Sequence, residues 1–435
     1  MSKFQIALYG AIGALVLLSF LVLSGILPWL PGQSSEPPAD LTMWGVFSED
    51  SWGRIIDAVN SENQKSFSIK YYEKDPATYE TELVNAIASG TGPDLWFLPQ
   101  DLLLKHGSKA FFIPYESLSE RTFRDTFVDS GFLFMKKDGI AGMPFCVDPL
   151  VLYWNKDIFS KAAIANPSAT WDGFLNQSRA MTEKDESGNI LKSGGAMGEF
   201  SNIKNAKEVF SLLLLQTGNK IIDPETNKLS FGERGDSSVD PAASALNFFT
   251  SFSNPTKISY SWNRALPEDI DFFVSGKLAV YFGYASEARE IVRKNPHLNF
   301  DVYQVPQVKD SATQSTFGRV YVMAVSKSTA NASKAFLAAS VFSSDEVQKM
   351  IEENLYLPPV KRALLSSGQG VEDNPFMETF YKAAIRSKSW LEPDPSAVSL
   401  IFKNMVDSVV SGKKNVSSAI RDAKILLAEE MDKLE

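Results

Sequence analysis

The sequence predicts an α/β protein, and the order of its first apolar segments carries that prediction. Runs rich in β-forming residues at 41–47, 66–72 and 95–98 alternate with two segments of helical spacing. A chain that alternates strand and helix in this way builds a mostly parallel sheet with right-handed crossovers. Ligands of such sheets bind beyond the carboxyl ends of the strands, so we expect the functional site at that edge.

Each of these first elements has its own signal. The first helix begins at the polar segment 48–51 and continues as an apolar stripe at helical spacing. The second has apolar residues at helical spacing over 79–87 and ends at the segment 89–92, which is rich in glycine. Five side chains follow or end the three strands and should meet at one edge of the sheet. They are Trp44, Ser48, Glu49, Gln100 and Asp101.

A long segment at 139–159 predicts a strand that leads into a helix. Its apolar run at 150–154 ends on Asn155, a residue type that caps helices. Asp148 is the exception within it, a carboxylate among apolar neighbours. A charge in such surroundings lowers the stability of the fold unless it has a partner or faces a solvent-filled cleft.

The alternation of helices and strands continues to the end of the chain. Thr170 is expected to cap a helix, and the small-residue loop at 194–198 could let the backbone approach a ligand. Further helices are expected at 209–215, 242–252, 332–342, from 344 onward and at 417–434, and strands at 302–305 and 319–326. The segment 271–284 is expected to form a helix, a turn, a strand and a loop in that order.

Composition excludes several classes of function. The chain has 435 residues, enough for two domains, and its 44% apolar and 22% charged residues are ordinary for a globular body. A net charge of −9 without a basic tract argues against nucleic acid as a partner. One cysteine and two histidines argue against a disulfide framework, a zinc site and an iron–sulfur cluster. We therefore expect no metal and no cofactor.

The N-terminal segment predicts a membrane anchor. Residues 6–27 carry no charge and would span about 33 Å as a helix, enough to cross a bilayer core. Lys3 precedes this segment and acidic residues follow it, so the body should lie on the extracytoplasmic side of the cell membrane. We expect an uncleaved single-pass anchor at 1–30 and a Pro/Ser-rich tether at 31–40. A cleaved signal peptide is the alternative, with an overlong apolar region and no small-residue cleavage site.

Five segments in order resemble the extracellular solute-binding proteins of the maltose-binding type, the capture subunits of ABC importers. The resemblance covers about 41–434. The matching segments are 90–94, 139–159, 273–279, 318–348 and 356–359.

The resemblance implies a two-lobed periplasmic-binding-protein fold of type II, each lobe a mostly parallel sheet flanked by helices. The first lobe would comprise 41–148 with 306–343, and the second 149–305 with 344–435. This chain departs from the family pattern at Arg319, where a second glycine is usual, and at Trp154, where tyrosine is usual.

The resemblance also implies a function. A monomer would capture a sugar or oligosaccharide in the cleft between the lobes, close around it by a hinge motion and present it to an ABC permease. The same fold could instead bind a polyamine or another small solute, or act as a ligand-sensing receptor module. A glycosidase is not expected, because nothing fixes a separation between two carboxylates and no nucleophile elbow or phosphate loop is present. No catalytic residue is predicted.

Seven residues are the predicted ligand-binding set. Aromatic faces pack against the apolar side of a pyranose, while carboxylates and amides bind its hydroxyls. Each residue also has a structural alternative: core packing for the rings, helix capping or a salt bridge for the charged groups. The set is Trp44, Tyr284 and Trp390 for stacking, Glu49, Asp101 and Asp148 as acceptors, and Arg319 projecting toward the cleft. Phe200 and Asn202 are weaker candidates.

Overall fold

The computed structural model describes residues 37–233, 240–311, 314–368 and 374–434. The predicted anchor at 1–30 and the tether up to residue 36 lie outside this part of the chain. Across the ranges that are described, no helix has both the length and the apolar character needed to cross a membrane.

The strands of the described residues are numbered in chain order. They are β1 (Ala39–Gly45), β2 (Phe67–Glu73), β3 (Leu95–Pro99), β4 (Ala110–Phe111), β5 (Met135–Lys136), β6 (Gly139–Ile140), β7 (Met143–Asn155), β8 (Glu183–Lys184), β9 (Ile190–Lys192), β10 (Val280–Tyr284), β11 (Phe300–Tyr303), β12 (Thr316–Ser326) and β13 (Ser387–Lys388).

Helices lie between and around these strands. The α-helices are Glu49–Asn63, Tyr79–Ala88, Leu103–His106, Glu120–Thr126, Lys156–Lys161, Trp171–Met181, Ala206–Gln216, Pro241–Ser251, Asp269–Val274, Ala288–Lys294, Ala332–Val341, Asp345–Leu355, Arg362–Ser367, Met377–Ile385, Pro395–Val410 and Val416–Asp432. Short 3₁₀ helices are Gln100–Leu102, Gly107–Lys109, Asp129–Phe134 and Ala285–Glu287.

One connected sheet has the strand order β2-β1-β3-β12-β7-β10. β1 pairs in parallel with β2 and β3, which confirms the predicted β-α-β-α-β start. The mostly parallel sheet expected in each lobe is wrong beyond these strands, because β12 runs antiparallel to β3 and β7, and β10 and β11 run antiparallel to β7. The reason is the chain path: a chain that leaves the first lobe along β7 and returns beside it along β12 must reverse direction.

The strand β7 belongs to both lobes. Its first half, 143–149, pairs with β12, and its second half, 150–155, pairs with β10 and β11. Thirteen residues at about 3.3 Å each give a strand about 43 Å long. As predicted, it leads into a helix at Asn155, whose Oδ1 accepts hydrogen bonds from the backbone N–H groups of Asp157 and Ile158 at 3.0 and 3.1 Å.

The central strand β3 of the first-lobe sheet is buried on both faces. Along β3, Leu95 and Phe97 pack into one apolar cluster with Trp52, while Trp96 and Leu98 pack into another on the opposite face. Because successive side chains of a strand point to opposite faces, two buried faces require a continuous apolar run. β3 meets this requirement, whereas the edge strand β2 alternates buried and exposed residues.

A third apolar cluster forms the second lobe. It gathers Tyr153 and Trp154 of β7, Phe210 of the helix Ala206–Gln216, and Phe402 of the helix Pro395–Val410. The predicted lobe ranges stay a prediction, but several residues beyond 343 pack in the two first-lobe clusters, among them Val360 and Leu391. Val347, in the helix Asp345–Leu355, packs in a first-lobe cluster although it lies beyond residue 343.

The small-residue loop at 194–198 owes its glycines to packing. A Cβ atom at Gly194 would lie 2.0 Å from the carbonyl oxygen of Ser178 and 2.4 Å from its Cα atom, both in the backbone of the helix Trp171–Met181. The loop was expected to approach a ligand, but at this position it approaches a helix instead.

Two glycine-to-alanine substitutions should therefore have opposite effects. Gly194→Ala should lower the free energy of unfolding by about 2 kcal/mol or more, because the obstructing atoms are backbone. Gly53→Ala should raise it by about 0.5–1 kcal/mol, because Gly53 lies inside a helix with nothing within 4 Å of its added Cβ. Denaturant unfolding of both variants measures the two effects, and a shared sign would contradict this explanation of the loop.

Candidate functional site

A cavity of about 420 Å³ lies beyond the carboxyl ends of β1 and β3, between the two lobes. The first lobe contributes Val46 and Asp101, the strand β12 contributes Arg319 and Tyr321, and the helix Pro395–Val410 contributes Ser396. This is the sheet edge at which the sequence predicts a ligand.

Arg319 lines this cavity, and its guanidinium makes one long hydrogen bond and one cation–π contact. It stands opposite Asp148 in the pairing of β12 with β7. Its guanidinium carbon is 4.8 Å from the centroid of the Tyr284 ring, and its Nη2 atom is 3.4 Å from Oε1 of Glu208. Its Nε–H is buried and has no hydrogen-bond partner within the described chain. A guanidinium with an unused donor can accept a further ligand atom.

Two more buried polar atoms near Arg319 lack a partner among the described residues. They are Oδ1 of Asp101 and the hydroxyl of Tyr284, whose side chains are 9% and 4% exposed. A buried polar atom without a hydrogen bond costs about 1–3 kcal/mol. Eight other buried polar atoms of the described chain also lack a hydrogen-bond partner, so what distinguishes these three is that they lie in one region beside a cavity.

A buried ion pair borders the site. Nζ of Lys207 lies 2.8 Å from Oε2 of Glu392, and the Glu392 side chain is 1% exposed. Burial raises the pKa of Glu392 to about 7, although Lys207 acts in the opposite direction, and the carboxylate of Asp101 adds to the rise. The carboxyl group of Glu392 therefore titrates near neutral pH, whereas the negative charges around Lys207 raise the pKa of that amine.

Asp148 lies at the junction of the lobes, and each of its carboxylate oxygens already accepts a hydrogen bond. Its Oδ1 accepts from the backbone N–H of Ser286 at 3.0 Å, and its Oδ2 accepts from the hydroxyl of Ser286 at 2.6 Å. Burial raises its pKa to about 6, while these hydrogen bonds act to lower it. In this conformation Asp148 ties β7 to the short helix Ala285–Glu287.

The remaining predicted residues lie at the margin of the site or outside it. Trp44 is partly buried, and Nζ of Lys74 lies 3.8 Å from its ring centroid. Glu49 is exposed at the start of the helix Glu49–Asn63. Trp390 is 1% exposed in the second-lobe core, where its Nε1 donates to the hydroxyl of Ser211 at 3.2 Å.

The structure thus brings together four of the seven predicted residues, and it adds others. Asp101, Asp148, Tyr284 and Arg319 share one region, whereas Trp390 offers no exposed ring face to a ligand. Of the weaker candidates, Asn202 uses its amide nitrogen to donate to the carbonyls of Asn263 and Leu266, both in one second-lobe loop. Phe200 packs against the second-lobe core. The residues that the sequence analysis missed are Lys207, Glu208, Tyr321 and Glu392.

The sequence does contain a signal for the three charged residues that were missed. Lys207 and Glu208 open a helix that is otherwise strongly apolar, and Glu392 follows Leu391 and precedes a proline. The same reasoning that singled out Asp148, a charge in an apolar run, applies to all three.

Polar contacts join the lobes on both sides of the cavity. Nζ of Lys105 lies 2.6 Å from Oε1 of Glu80 and also contacts Oδ2 of Asp394, the residue that caps the helix Pro395–Val410. On the other side, Nη1 of Arg289 donates to the hydroxyl of Ser51 at 3.4 Å. The contacts of Lys105 with Asp394 and of Arg289 with Ser51 join residues of opposite lobes, whereas Lys105 and Glu80 belong to the same lobe.

The raised pKa of Glu392 predicts a pH-dependent stability. Because this pKa is about 7 in the folded protein and 4.5 ordinarily, its stabilising effect is complete below pH 4.5 and is lost as the pH rises to 7. Glu392→Gln removes the titrating group, so the stability of the variant relative to wild type should rise by up to about 3 kcal/mol between pH 4.5 and 7. The loss of the partner of Lys207 lowers the stability of the variant. The test is therefore the change of this difference with pH, not its sign at one pH.

Denaturant unfolding at a series of pH values measures this difference. Glu353→Gln, the same change at an exposed position, is the matched control and should run parallel to wild type. A Glu392→Gln curve that also ran parallel would contradict the assigned burial effect.

The relatives found by comparison with known proteins are named as binding proteins. A stretch of 92 residues is 29% identical to a putative binding protein of Brucella abortus, covering 21% of this chain and 22% of that protein's length. The galactooligosaccharide-binding protein of Bacillus subtilis is 22% identical over 333 residues, which cover 76% of this chain and 75% of that protein.

Among solved structures, the cyclic alpha-maltosyl-1,6-maltose binding protein of Arthrobacter globiformis shares the two-lobed fold. It aligns with a TM-score of 0.73 at 17% identity over 91% of this chain and 100% of that chain. Residues 54–379 match the family model described as bacterial extracellular solute-binding protein. Because three quarters of its length lies inside that match, the chain belongs to the bacterial extracellular solute-binding proteins.

Proposed function

We propose that this protein captures a sugar or oligosaccharide between its lobes for an ABC importer. The observation that carries the proposal is the set of buried, unpartnered polar atoms beside the cavity: Oδ1 of Asp101, Nε of Arg319 and the hydroxyl of Tyr284. A carboxylate oxygen needs a donor, and a guanidinium N–H needs an acceptor. A sugar hydroxyl is both, so neighbouring hydroxyls of one ligand can satisfy all three.

The relatives support the same class of ligand. The Bacillus subtilis protein is named for galactooligosaccharides, and the Arthrobacter globiformis protein for a cyclic glucose oligosaccharide. Both belong to proteins that bind a solute rather than transform it, and we propose the same for this chain.

Capture would proceed by closure about the crossing strands. An open cleft exposes Asp101 and Arg319 to solvent, and a ligand that bonds both lobes favours the closed arrangement by its differential affinity. The contacts of Lys105 with Asp394 and of Arg289 with Ser51 then form at the two sides of the ligand. Presentation to a permease and anchoring of the N-terminal segment in the cell membrane complete the proposed function.

A thermal-shift screen of the full-length chain against mono- and oligosaccharides tests the proposal. A ligand that binds only the folded state stabilises it by about 2.7 kcal/mol at one hundred times its Kd, so the melting temperature should rise with ligand concentration. Galacto- and malto-oligosaccharides are the first probes. A concentration-dependent shift with amino acids alone and with no sugar would contradict sugar capture.

Two tyrosine variants then separate binding from folding. Tyr284→Phe removes a hydroxyl that has no partner without ligand, so stability should be unchanged or higher while affinity for the sugar falls about fivefold. Tyr71→Phe removes a hydroxyl that donates to the carbonyl of Phe47 at 2.7 Å, so stability should fall by about 1 kcal/mol while affinity stays unchanged.

Unfolding by denaturant and titration calorimetry measure the two quantities on each variant. If Tyr284→Phe lost stability and kept its affinity, its hydroxyl would have a structural partner and no ligand role.

A further inference from the structure

The aromatic faces expected to stack on a sugar are occupied by the chain's own cations or by its core. Lys74 lies 3.8 Å from the ring centroid of Trp44, and Arg319 lies 4.8 Å from that of Tyr284. Tyr321 is 7% exposed, with its ring centroid 5.6 Å from that of Phe47. Recognition at these positions therefore depends on polar and charged groups more than on ring stacking.

Carboxylates outnumber cations around the cavity among the described residues. The cavity is lined by Glu80, Asp101 and Arg319. Next to these residues lie four more acids, Asp148, Glu208, Glu392 and Asp394, and two more bases, Lys105 and Lys207. Lys105 contacts both Glu80 and Asp394. Lys207 pairs with Glu392 at 2.8 Å, and Arg319 contacts Glu208 at 3.4 Å.

Two acids remain without an ion pair, Asp148 and Asp101, and only Asp148 has hydrogen-bond partners for both of its oxygens. Asp148 accepts two hydrogen bonds from Ser286. Asp101 lines the cavity, has no ion pair within the described chain and keeps Oδ1 unpartnered, although it is 9% exposed. A buried carboxylate is costly unless a charge or several donors compensate it. The charges of Lys207 and Arg319 already act on Asp101, but neither side chain donates a hydrogen bond to its Oδ1. The missing partner should therefore bring hydrogen-bond donors, and a cationic donor binds a carboxylate more strongly than a neutral one.

We propose that the captured solute carries a protonated amine that binds Asp101, as in an amino sugar. This inference rests on the proposed function and makes its ligand class narrower. An ammonium group supplies three donors and a full charge, and its hydrogen bonds to a carboxylate are stronger than those of a neutral hydroxyl. An acidic sugar would add a further negative charge to a region that already has an excess of carboxylates.

The hydroxyls of an amino sugar explain the remaining unpartnered atoms. Nε of Arg319 needs an acceptor, and the Tyr284 hydroxyl can use either a donor or an acceptor. A fully protonated linear polyamine supplies the ammonium but no acceptor, and it would place its other charges near Arg319. The amino sugar and the polyamine both supply an amine for Asp101. The amino sugar also supplies partners for Nε of Arg319 and for the hydroxyl of Tyr284.

Titration calorimetry on the full-length chain tests this inference with matched probes. The probes are glucosamine and galactosamine, as mono- and disaccharides, each with its N-acetylated and its hydroxyl counterpart, and spermidine. The pH is set where the amines are protonated. At least one amino sugar should bind about tenfold or more tightly than both of its counterparts.

Asp101→Asn should remove this preference, so that the amino sugar binds no more tightly than its hydroxyl counterpart. The change keeps the size of the side chain, and the melting temperature without ligand checks that the variant folds. Asp125→Asn, with a side chain 72% exposed in the same lobe, is the matched control and should keep the preference.

The outcomes separate the two proposals. Three outcomes would overturn the proposal that an amine binds Asp101: equal binding of amino and hydroxyl sugars, an unchanged preference in Asp101→Asn, or no binding of any amine. Sugar capture would then be tested by the thermal-shift screen alone. Binding of spermidine alone, lost in Asp101→Asn, supports the amine at Asp101 and overturns sugar capture.

Discussion

The pairing of β7 with β12 is the constraint on which the rest of the structure depends. Each strand passes from one lobe to the other, and each changes its apolar core at the same level: β7 between Val147 and Leu150, and β12 between Phe317 and Val320. At that level Asp148 stands opposite Arg319. Because the strand pair is the junction of two cores, the polar side chains of the junction lie between the lobes, where neither core can accept them.

The charges of the cleft follow from this position. A buried charge is tolerated when it is paired, and most charges here are: Lys207 with Glu392, Arg319 with Glu208, and Asp148 with the two donors of Ser286. Stability alone would favour pairing every such group or replacing it by an apolar residue. The atoms that stay unpaired are therefore the most informative, since their cost is recovered when a ligand bonds them. A binding site of this kind is recognised by what the folded chain leaves unsatisfied.

Local signals in the sequence predicted much of the fold. The three parallel strands follow from apolar runs and turn residues, and the caps at Asn155 and Thr170 follow from residue type; the hydroxyl of Thr170 does accept from the N–H of Gly173. What depends on distant contacts was not predictable. Trp390 lies in a segment rich in proline and looked exposed, yet its ring stacks 6.2 Å from that of Phe402. Glu392 was missed because its partner is 185 residues away in the chain. The antiparallel strands were missed because strand direction depends on the path of the whole chain.

Closure of the two lobes around a solute is the central claim, and small-angle X-ray scattering tests it most directly. The full-length chain is measured without ligand and then with saturating amounts of the sugar that gives the largest thermal shift. The account predicts a smaller radius of gyration in the bound state, because the contacts of Lys105 with Asp394 and of Arg289 with Ser51 form on closure. An unchanged radius of gyration with a bound ligand would contradict capture by closure.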